Sequence, residues 1–268
     1  MSTNIISLED VSWRRQNKQI VKNVHWNVEQ GEHWAILGAN GSGKTSLLKI
    51  ITGYEWASNG TVDVLGERFG QTPIYELRKR IGWLSASLDE RFRHYEGLAC
   101  VDVVVSGIHA SIGIHDDIKN SDIQKALKLA NEMGLSHIIN SPLRSLSQGE
   151  RKKTFFARAL MADPELIIVD EPTSGLDLLA REQFLQQLQT LHSKPDSPTL
   201  LYVTHYPEEI IPSISHVLLL KEGQIIAAGK KEDVLTNTLL SQTFDVPIYV
   251  VWRDGRPWIQ IASNSFKG

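Results

Sequence analysis

A glycine-rich segment carries the first recognisable chemistry in the sequence. Residues 38–45 read Gly-Ala-Asn-Gly-Ser-Gly-Lys-Thr and satisfy the pattern G-x-x-x-x-G-K-[ST]. The segment follows a predicted strand, Trp34–Leu37, and opens a predicted helix, Lys44–Thr52, which Gly53 is placed to end. In that context backbone N–H groups and the helix dipole attract phosphate oxygens. The sequence therefore predicts that this loop binds the phosphates of a nucleoside triphosphate.

Side chains of the same loop have separate predicted roles. Lys44 brings a positive charge to the β- and γ-phosphates, and the Thr45 hydroxyl is a candidate ligand for Mg²⁺. Proteins of many functions use a loop of this kind, so the loop alone indicates nucleotide binding and nothing narrower. The predicted nucleotide-binding residues of the loop are Gly38, Asn40, Gly41, Ser42, Gly43, Lys44, Thr45 and Ser46.

An apolar strand that ends in two carboxylates is the second chemical feature. Leu166–Val169 is predicted as a buried strand, and Asp170 and Glu171 follow it directly. We expect Asp170 to lie beside the phosphate loop and hold hydrated Mg²⁺, because this cation prefers oxygen ligands. We expect Glu171 to polarise the water that attacks the γ-phosphate. The pair is therefore predicted to serve hydrolysis.

A third segment, Leu146–Glu150, lies shortly before the acidic strand and begins a predicted helix. The Ser147 hydroxyl can donate a hydrogen bond, and Gly149 allows close approach to the backbone, so the start of this helix is a second candidate anion site. An ordinary serine-capped helix would have the same appearance. Taken with the two preceding motifs, the segment resembles the signature of ABC ATPases.

Further segments follow the order of that family. Pro172–Asp177 resembles its D-loop, and Thr204-His205, after the predicted strand Leu200–Val203, resembles its switch histidine. The resemblance extends from about Ile5 to Lys231 and implies that His205 contacts the γ-phosphate and orders the attacking water. Glu171, His205 and Lys44 are thus the expected catalytic residues.

The resemblance also implies ligands, partners and a location. ATP and Mg²⁺ are the expected ligands, with Ser147 and Gly149 contacting ATP held by the opposite subunit. An ATP-dependent, head-to-tail homodimer follows from that arrangement. A separate transmembrane permease is the expected partner, and a substrate-binding protein is a further candidate partner. The chain is expected to be cytoplasmic and peripheral on the inner face of the cell membrane, held there by the permease.

Strands alternating with helices predict an α/β P-loop NTPase with a mostly parallel sheet core, an antiparallel β part and an inserted helical subdomain. We expect a single ABC ATPase domain over residues 1–268. Its α/β core would take about 1–87 and 163–240, its helical signature subdomain about 88–162, and its C-terminal hairpin extension about 241–268, turning at Asp254-Gly255. Within the helical part, Ser121 and Gln124 predict a capping box.

The sequence departs from the family pattern at two places. Where the family carries an aromatic residue that stacks on adenine, the chain has Arg15, with Trp13 two residues earlier, and either side chain can cover a purine face. Where the family has a glutamine that ligates Mg²⁺, Ala86 stands, and the neighbouring hydroxyls of Ser85 and Ser87 are the alternative ligands.

Composition limits the classes of function. The chain of 268 residues has a net charge of −3, so it shows no overall basic surface and nucleic acid is not an expected partner. Its single cysteine, Cys100, excludes an internal disulfide and fits a reducing compartment. The apolar runs fall short of the roughly 20 residues that a membrane helix needs, and the N-terminus is unlike a secretory signal. We therefore expect a protein that is soluble by itself.

Two hypotheses on the biological role stay open beside an ABC transporter motor. The first is a soluble ABC ATPase that acts on ribosomes, nucleic acid or gene regulation, and the second is a nucleotide-binding regulator with little turnover. Val101–Gly107 and Phe244–Val251 look similar to ATPases of metal-chelate, cobalamin and molybdate-type importers. Import and export both stay open on the sequence.

Overall fold

The computed structural model describes residues 4–85, 90, 92–109, 118–193 and 197–262. Over these residues the chain divides into two compact units. The first comprises residues up to Leu77 and from Thr199 onward, and the second comprises Arg78–Pro198. Helix α1 (Lys44–Ile51) lies in the first unit, and helix α2 (Ile74–Lys79) contains the boundary between them.

An antiparallel sheet opens the first unit. Its strands are β1 (Asn4–Arg15), β2 (Lys18–Glu29), β4 (Asn59–Val64) and β5 (Glu67–Arg68). They lie in the order β2-β1-β4-β5. β1 and β2 form a long hairpin that turns at Gln16-Asn17, where both φ angles are positive. Asparagine tolerates this left-handed conformation better than most residues do, which favours a turn here.

The first unit also contains a largely parallel sheet. Its strands are β3 (Trp34–Leu37), β8 (Thr199–Thr204), β9 (His216–Lys221) and β10 (Gln224–Lys230), in the order β10-β9-β3-β8. β3 is parallel to both β8 and β9, whereas β10 returns antiparallel to β9. Every residue of β3 and β8 is buried, as expected for parallel strands that are covered on both faces.

Short helices and a hairpin end the described part of the first unit. Helix α7 (Lys231–Val234) and helix α8 (Asn237–Phe244) precede the hairpin of β11 (Ile248–Arg253) and β12 (Arg256–Ile261). The hairpin turns at Asp254-Gly255, with φ angles of 51° and 71°. Two positive φ angles at a two-residue turn match the twist of the flanking strands.

The second unit combines a parallel strand pair with helices. β6 (Ile81–Leu84) pairs with β7 (Leu166–Asp170). The helices that the structure describes in this unit include α3 (Cys100–Val105), α4 (Asn120–Glu132), α5 (Gln148–Leu160) and α6 (Leu178–His192). Buried aromatic rings pack against each other in this unit: Phe155 of α5 lies 5.1 Å from Phe92, and Phe156 of α5 lies 5.5 Å from Phe184 of α6, measured between ring centroids. Burial of such rings is a main source of stability for this unit.

The predicted fold class is confirmed, with parallel strands, antiparallel strands and a helical part all present. The predicted capping box at Ser121 and Gln124 is wrong. Helix α4 begins at Asn120, and the Asp122 carboxylate accepts a hydrogen bond of 2.9 Å from the Lys119 backbone N–H. The predicted boundaries at residues 88, 162 and 240 stay a prediction.

Across the part of the chain that the structure describes, no helix combines the length and the apolar character that crossing a membrane requires.

Candidate active site

The register of the parallel strands brings two of the predicted motifs to one edge of the first unit's sheet. Leu37, the last residue of β3, pairs with Thr204, the last residue of β8. The phosphate loop starts at the next residue, Gly38, and His205 is the next residue after Thr204. Carboxyl ends of parallel strands are the usual ligand-binding edge of an α/β sheet. The loop and the histidine therefore leave the sheet side by side.

The backbone of the phosphate loop leaves little room for a side chain at Gly38 and adopts a left-handed conformation at Gly43. A Cβ atom added to Gly38 would lie 2.2 Å from the carbonyl oxygen of Leu220, which is a severe clash. Gly43 has a φ of 107° and caps the N-terminus of α1. These positions require glycine because of close backbone approach and left-handed backbone. The predicted turn from strand to helix is present, and α1 ends at Ile51, close to the predicted Thr52.

Lys44 is nearly buried in the loop, with 5% of its surface exposed. Its Nζ donates hydrogen bonds of 2.8 Å to the Gly38 carbonyl and 3.2 Å to the Ala39 carbonyl. The ammonium group is thereby held inside the curve of the loop. Charge-assisted bonds of this kind fix the position of the positive charge that is predicted to meet phosphate.

Hydrogen-bonding groups of the loop fit a phosphate ligand. The Ser42 hydroxyl is buried and has no hydrogen-bond partner among the described residues. A buried polar group without a partner is costly, and a bound phosphate oxygen would satisfy it. Asn40 and Thr45 are exposed at the loop, and Ser46 is half-buried in the first turn of α1. The Thr45 hydroxyl is thus accessible as an oxygen ligand for Mg²⁺.

A buried carboxylate organises the backbone around His205. Glu209, only 1% exposed, accepts hydrogen bonds from the Thr204 hydroxyl at 2.6 Å and the Tyr202 hydroxyl at 3.1 Å. The Thr204 hydroxyl in turn accepts from the Tyr206 N–H, and the Tyr206 ring lies 4.0 Å from the His205 ring. Sequence reasoning missed Glu209, because its place after Pro207-Glu208 is typical of an exposed acidic turn.

The carboxyl ends of β6 and β7 form the corresponding edge in the second unit. Leu84, the last residue of β6, pairs with Val169, so Ser85 comes next in the register to Asp170, the last residue of β7. Glu171 has a φ of 46°, an uncommon conformation for a residue with a side chain. Such backbone strain concentrates at functional sites. Ser85 is buried here, whereas Ala86 and Ser87 lie outside the described residues.

The signature segment forms a complete cap for α5. Ser147 is the N-cap residue, and its hydroxyl donates 2.7 Å to Glu150 Oε2, which also accepts the Ser147 N–H at 2.8 Å. His137 Nε2 lies 3.1 Å from Glu150 Oε1. The Ser147 hydroxyl, followed by the Ser147 backbone and His137, lowers the pKa of Glu150 below its ordinary value. Sequence reasoning missed His137, since nothing near it in the sequence indicates this contact.

A cleft of about 1060 Å³ opens beside the signature segment. It lies wholly within the second unit, and burial at its wall lowers the pKa of Lys153. The side chains of Lys153 and Gln183 approach each other to 3.4 Å there. Signature and D-loop residues that line the cleft are Ser147, Gln148, Gly149, Glu150, Gly175, Leu176 and Asp177.

The two candidate residues for adenine lie in different environments. Trp13 is buried within β1, with 8% of its surface exposed, and pairs with Val21 across the sheet. Arg15 is exposed at the end of β1. The start of β2 lies next to the phosphate loop, since a Cβ atom on Gly43 would lie 3.2 Å from the Ile20 carbonyl oxygen. Of the two side chains, Arg15 is the accessible one.

Comparison with known proteins agrees with the motifs. The family model described as ABC transporter matches residues 21–174. The ABC transporter ATP-binding protein YlmA of Bacillus subtilis (strain 168) is 41% identical over 256 residues, which are 95% of this chain and 96% of that protein. YmeB of Lactococcus lactis subsp. lactis is 39% identical over 246 residues, 92% of this chain and 94% of that protein.

Solved structures share the fold. An inward-facing conformation of a metal-chelate type ABC transporter matches with a TM-score of 0.76 at 24% sequence identity, and the match covers 97% of each chain. At 24% sequence identity the structural match shows a shared fold and nothing more.

Proposed function

Because this chain belongs to the ABC transporter family as an ATP-binding and ATP-hydrolysing subunit, we propose that it hydrolyses ATP at the carboxyl ends of its parallel strands. The register of β3 and β8 supports the proposal above all, since Gly38 and His205 leave the sheet at the same edge. The comparisons give no support to the alternative of a soluble ABC ATPase acting on ribosomes, nucleic acid or regulation.

In this proposal the loop residues bind and orient the phosphates. Lys44 exchanges its carbonyl partners for phosphate oxygens, and the Ser42 hydroxyl gains the partner that it lacks among the described residues. His205 contacts the γ-phosphate and orders a water, while Glu171 polarises that water for attack. Arg15 covers the adenine face, as a planar guanidinium can, because Trp13 is buried.

Mg²⁺ would be held by the Thr45 hydroxyl and the Asp170 carboxylate, with Ser85 as a further hydroxyl beside Asp170. These are hard oxygen ligands of the kind that this cation prefers, and the cation usually keeps several waters besides its protein ligands. When bound, Mg²⁺ neutralises charge on the phosphates.

Two copies of the chain form the proposed working unit. The cleft beside Ser147 and Gly149 accepts the ATP bound by the second copy, and the positive end of α5 favours its phosphates. Each ATP then lies between two chains arranged head to tail. Loss of the γ-phosphate would weaken this contact and open the dimer.

The proposed partner is a separate permease that holds the chain on the cytoplasmic face of the membrane. A substrate-binding protein would join the complex in an importer. The similarity of Val101–Gly107 and Phe244–Val251 to metal-chelate, cobalamin and molybdate-type importers supports import. Substrate choice is left to the partner subunits in this scheme.

The decisive experiment compares Glu171→Gln with the unchanged chain. Glutamine keeps the size of the side chain but cannot act as a base, so we expect ATP binding within about twofold and hydrolysis slowed at least about a hundredfold. The ATP-bound dimer should then accumulate, which size-exclusion chromatography with light scattering would detect.

Glu222→Gln is the matched control, because Glu222 also has a left-handed backbone, with a φ of 48°, and is exposed. It should hydrolyse ATP at the unchanged rate and remain monomeric after turnover. Hydrolysis by Glu171→Gln at the same rate would show that the assigned base is wrong.

A further inference from the structure

The segment that carries His205, residues 204–209, is held by hydrogen bonds to the buried side chain of Glu209. One oxygen of this buried carboxylate accepts from Thr204, the residue directly before His205, and from Tyr202, two residues before Thr204 in β8. The Tyr206 N–H also bonds to Thr204, so the backbone on both sides of His205 is tied to one hydroxyl. The position of the His205 ring therefore depends on how residues 204–209 are held.

The C-terminal hairpin contacts the outer side of the same segment. Nε of Arg256 donates a hydrogen bond of 2.8 Å to the Glu208 carbonyl, and a second guanidinium nitrogen of Arg256 donates to the same oxygen. The hairpin turn itself packs close by, because a Cβ atom on Gly255 would lie 3.3 Å from Cγ of Pro212. The first strand residue of β12 is thus bound to the residue before Glu209.

Arg256 is itself fixed in place. Its guanidinium lies 5.4 Å from the centre of the Trp258 ring, a distance at which cation and ring attract each other. Arg256 is half-buried, whereas Arg253, its partner directly across the hairpin, is exposed. Arg256 thus contacts residues 204–209, the segment that carries His205, while Arg253 is exposed to solvent.

We infer that the C-terminal hairpin positions the switch histidine, and that Arg256 is the positioning residue that transmits this support. Arg256 fixes the Glu208 carbonyl, which fixes the backbone of Glu209, whose carboxylate holds Thr204 next to His205. A small displacement of a group that orders the attacking water lowers the rate of the chemical step while ATP is still bound. The inference rests on the proposed role of His205 in hydrolysis.

The test compares Arg256→Ala with Arg253→Ala in the full chain. For Arg256→Ala we expect kcat to fall roughly tenfold with KM for ATP and the Kd for ATP changed less than about twofold. Arg256→Lys should recover part of the rate, since one ammonium donor can still reach the carbonyl. Arg253→Ala should keep the unchanged kcat.

A second readout follows the His205 ring directly. In protein labelled with ¹³C at histidine Cε1, the His205 signal is assigned by its loss in His205→Ala. Its chemical shift depends on the Tyr206 ring at 4.0 Å, so it should move in Arg256→Ala and stay in Arg253→Ala. Thermal unfolding identifies a variant that fails to fold, in which case Arg256→Lys and Arg256→Gln provide the same comparison.

The outcomes separate this inference from the proposed function. An Arg256→Ala protein with an unmoved His205 signal overturns the inference, whatever its rate, because a purely structural hairpin would leave the ring in place. A moved signal with unchanged kcat also overturns it as a determinant of hydrolysis. If His205→Ala hydrolyses ATP normally, the proposed role of His205 is wrong, and a moved signal still supports the contact through Arg256.

Discussion

Lys44 shows how a single side chain is prepared for its ligand before the ligand is bound. Its charge is held within the phosphate loop by two carbonyl oxygens, at 2.8 and 3.2 Å, while nearly all of its surface is buried. Carbonyl oxygens satisfy an ammonium group only in part, because they carry partial charges. Phosphate oxygens carry more charge, so exchange of partners favours the bound state.

Replacing Lys44 by alanine should therefore weaken ATP binding by more than about tenfold, the value of a lost hydrogen bond to a charged group. Titration calorimetry with ATP and Mg²⁺ measures the change in Kd. Lys49→Ala is the control on the same helix, since Lys49 lies in the last turn of α1, away from the loop. Equal Kd values for Lys44→Ala and the unchanged chain would contradict the assigned role.

The residues of the phosphate loop were predictable because they are adjacent in the sequence and together match one pattern. The turn after Leu37, the buried lysine and the helix start all follow from one eight-residue pattern. Glu209 was not predictable, because its role depends on the return of Thr204 and Tyr202 to the same carboxylate. Arg256 is more distant from His205 in the sequence than Glu209 is, and no local pattern predicts its contact with Glu208.

At the scale of an element, the start of α5 combines a structural cap with the predicted ATP contact. Glu150 accepts from both the backbone and the hydroxyl of Ser147, and these bonds favour its charged form. A carboxyl whose pKa is lowered on folding stabilises the fold above its unfolded-state pKa and loses that contribution as pH falls through the folded-state value. The cap is therefore expected to weaken under acidic conditions.

Glu150→Ala should lower the free energy of unfolding by about 1 kcal/mol at about pH 7, since two Ser147 donors lose their acceptor. The difference from the unchanged chain should shrink as the pH falls below the ordinary carboxyl pKa of 4.5 and should vanish once the pH is below the lowered pKa of folded Glu150. Urea unfolding followed by circular dichroism at several pH values measures both effects. Glu132→Ala, which removes an exposed glutamate from α4, should stay within about 0.5 kcal/mol at every pH.

The start of α4 shows why element boundaries are harder to predict than elements. Ser121 and Gln124 have the spacing of a capping box, but Lys119 and Asp122 have the same spacing two residues earlier. The short Asp122 side chain reaches the backbone N–H of Lys119, so the helix begins at Asn120, two residues sooner than it would with Ser121 as the N-cap. Both registers fit the apolar periodicity of the helix, and only the tertiary structure chooses between them.

At the scale of the whole molecule, individual strands were predictable while their order was not. The apolar runs around Trp34, Leu166 and Leu200 all became buried strands at nearly the expected residues. The order β10-β9-β3-β8 depends on pairing between segments more than 150 residues apart in sequence, such as Leu37 with Thr204. Neither composition nor local periodicity predicts which of these distant strands pair.

Membership of the transporter family leads to a prediction about the complex. Two bacterial relatives, both named ABC transporter ATP-binding proteins, match this chain over 96% and 94% of their own lengths. A tagged chain purified from its native membranes should therefore bring down a multi-span permease in stoichiometric amount, and the complex should hydrolyse ATP. Mass spectrometry of the eluate identifies the partner, and membranes with an untagged chain provide the control. Recovery of ribosomal or nucleic-acid proteins with no permease would instead favour the soluble ABC ATPase.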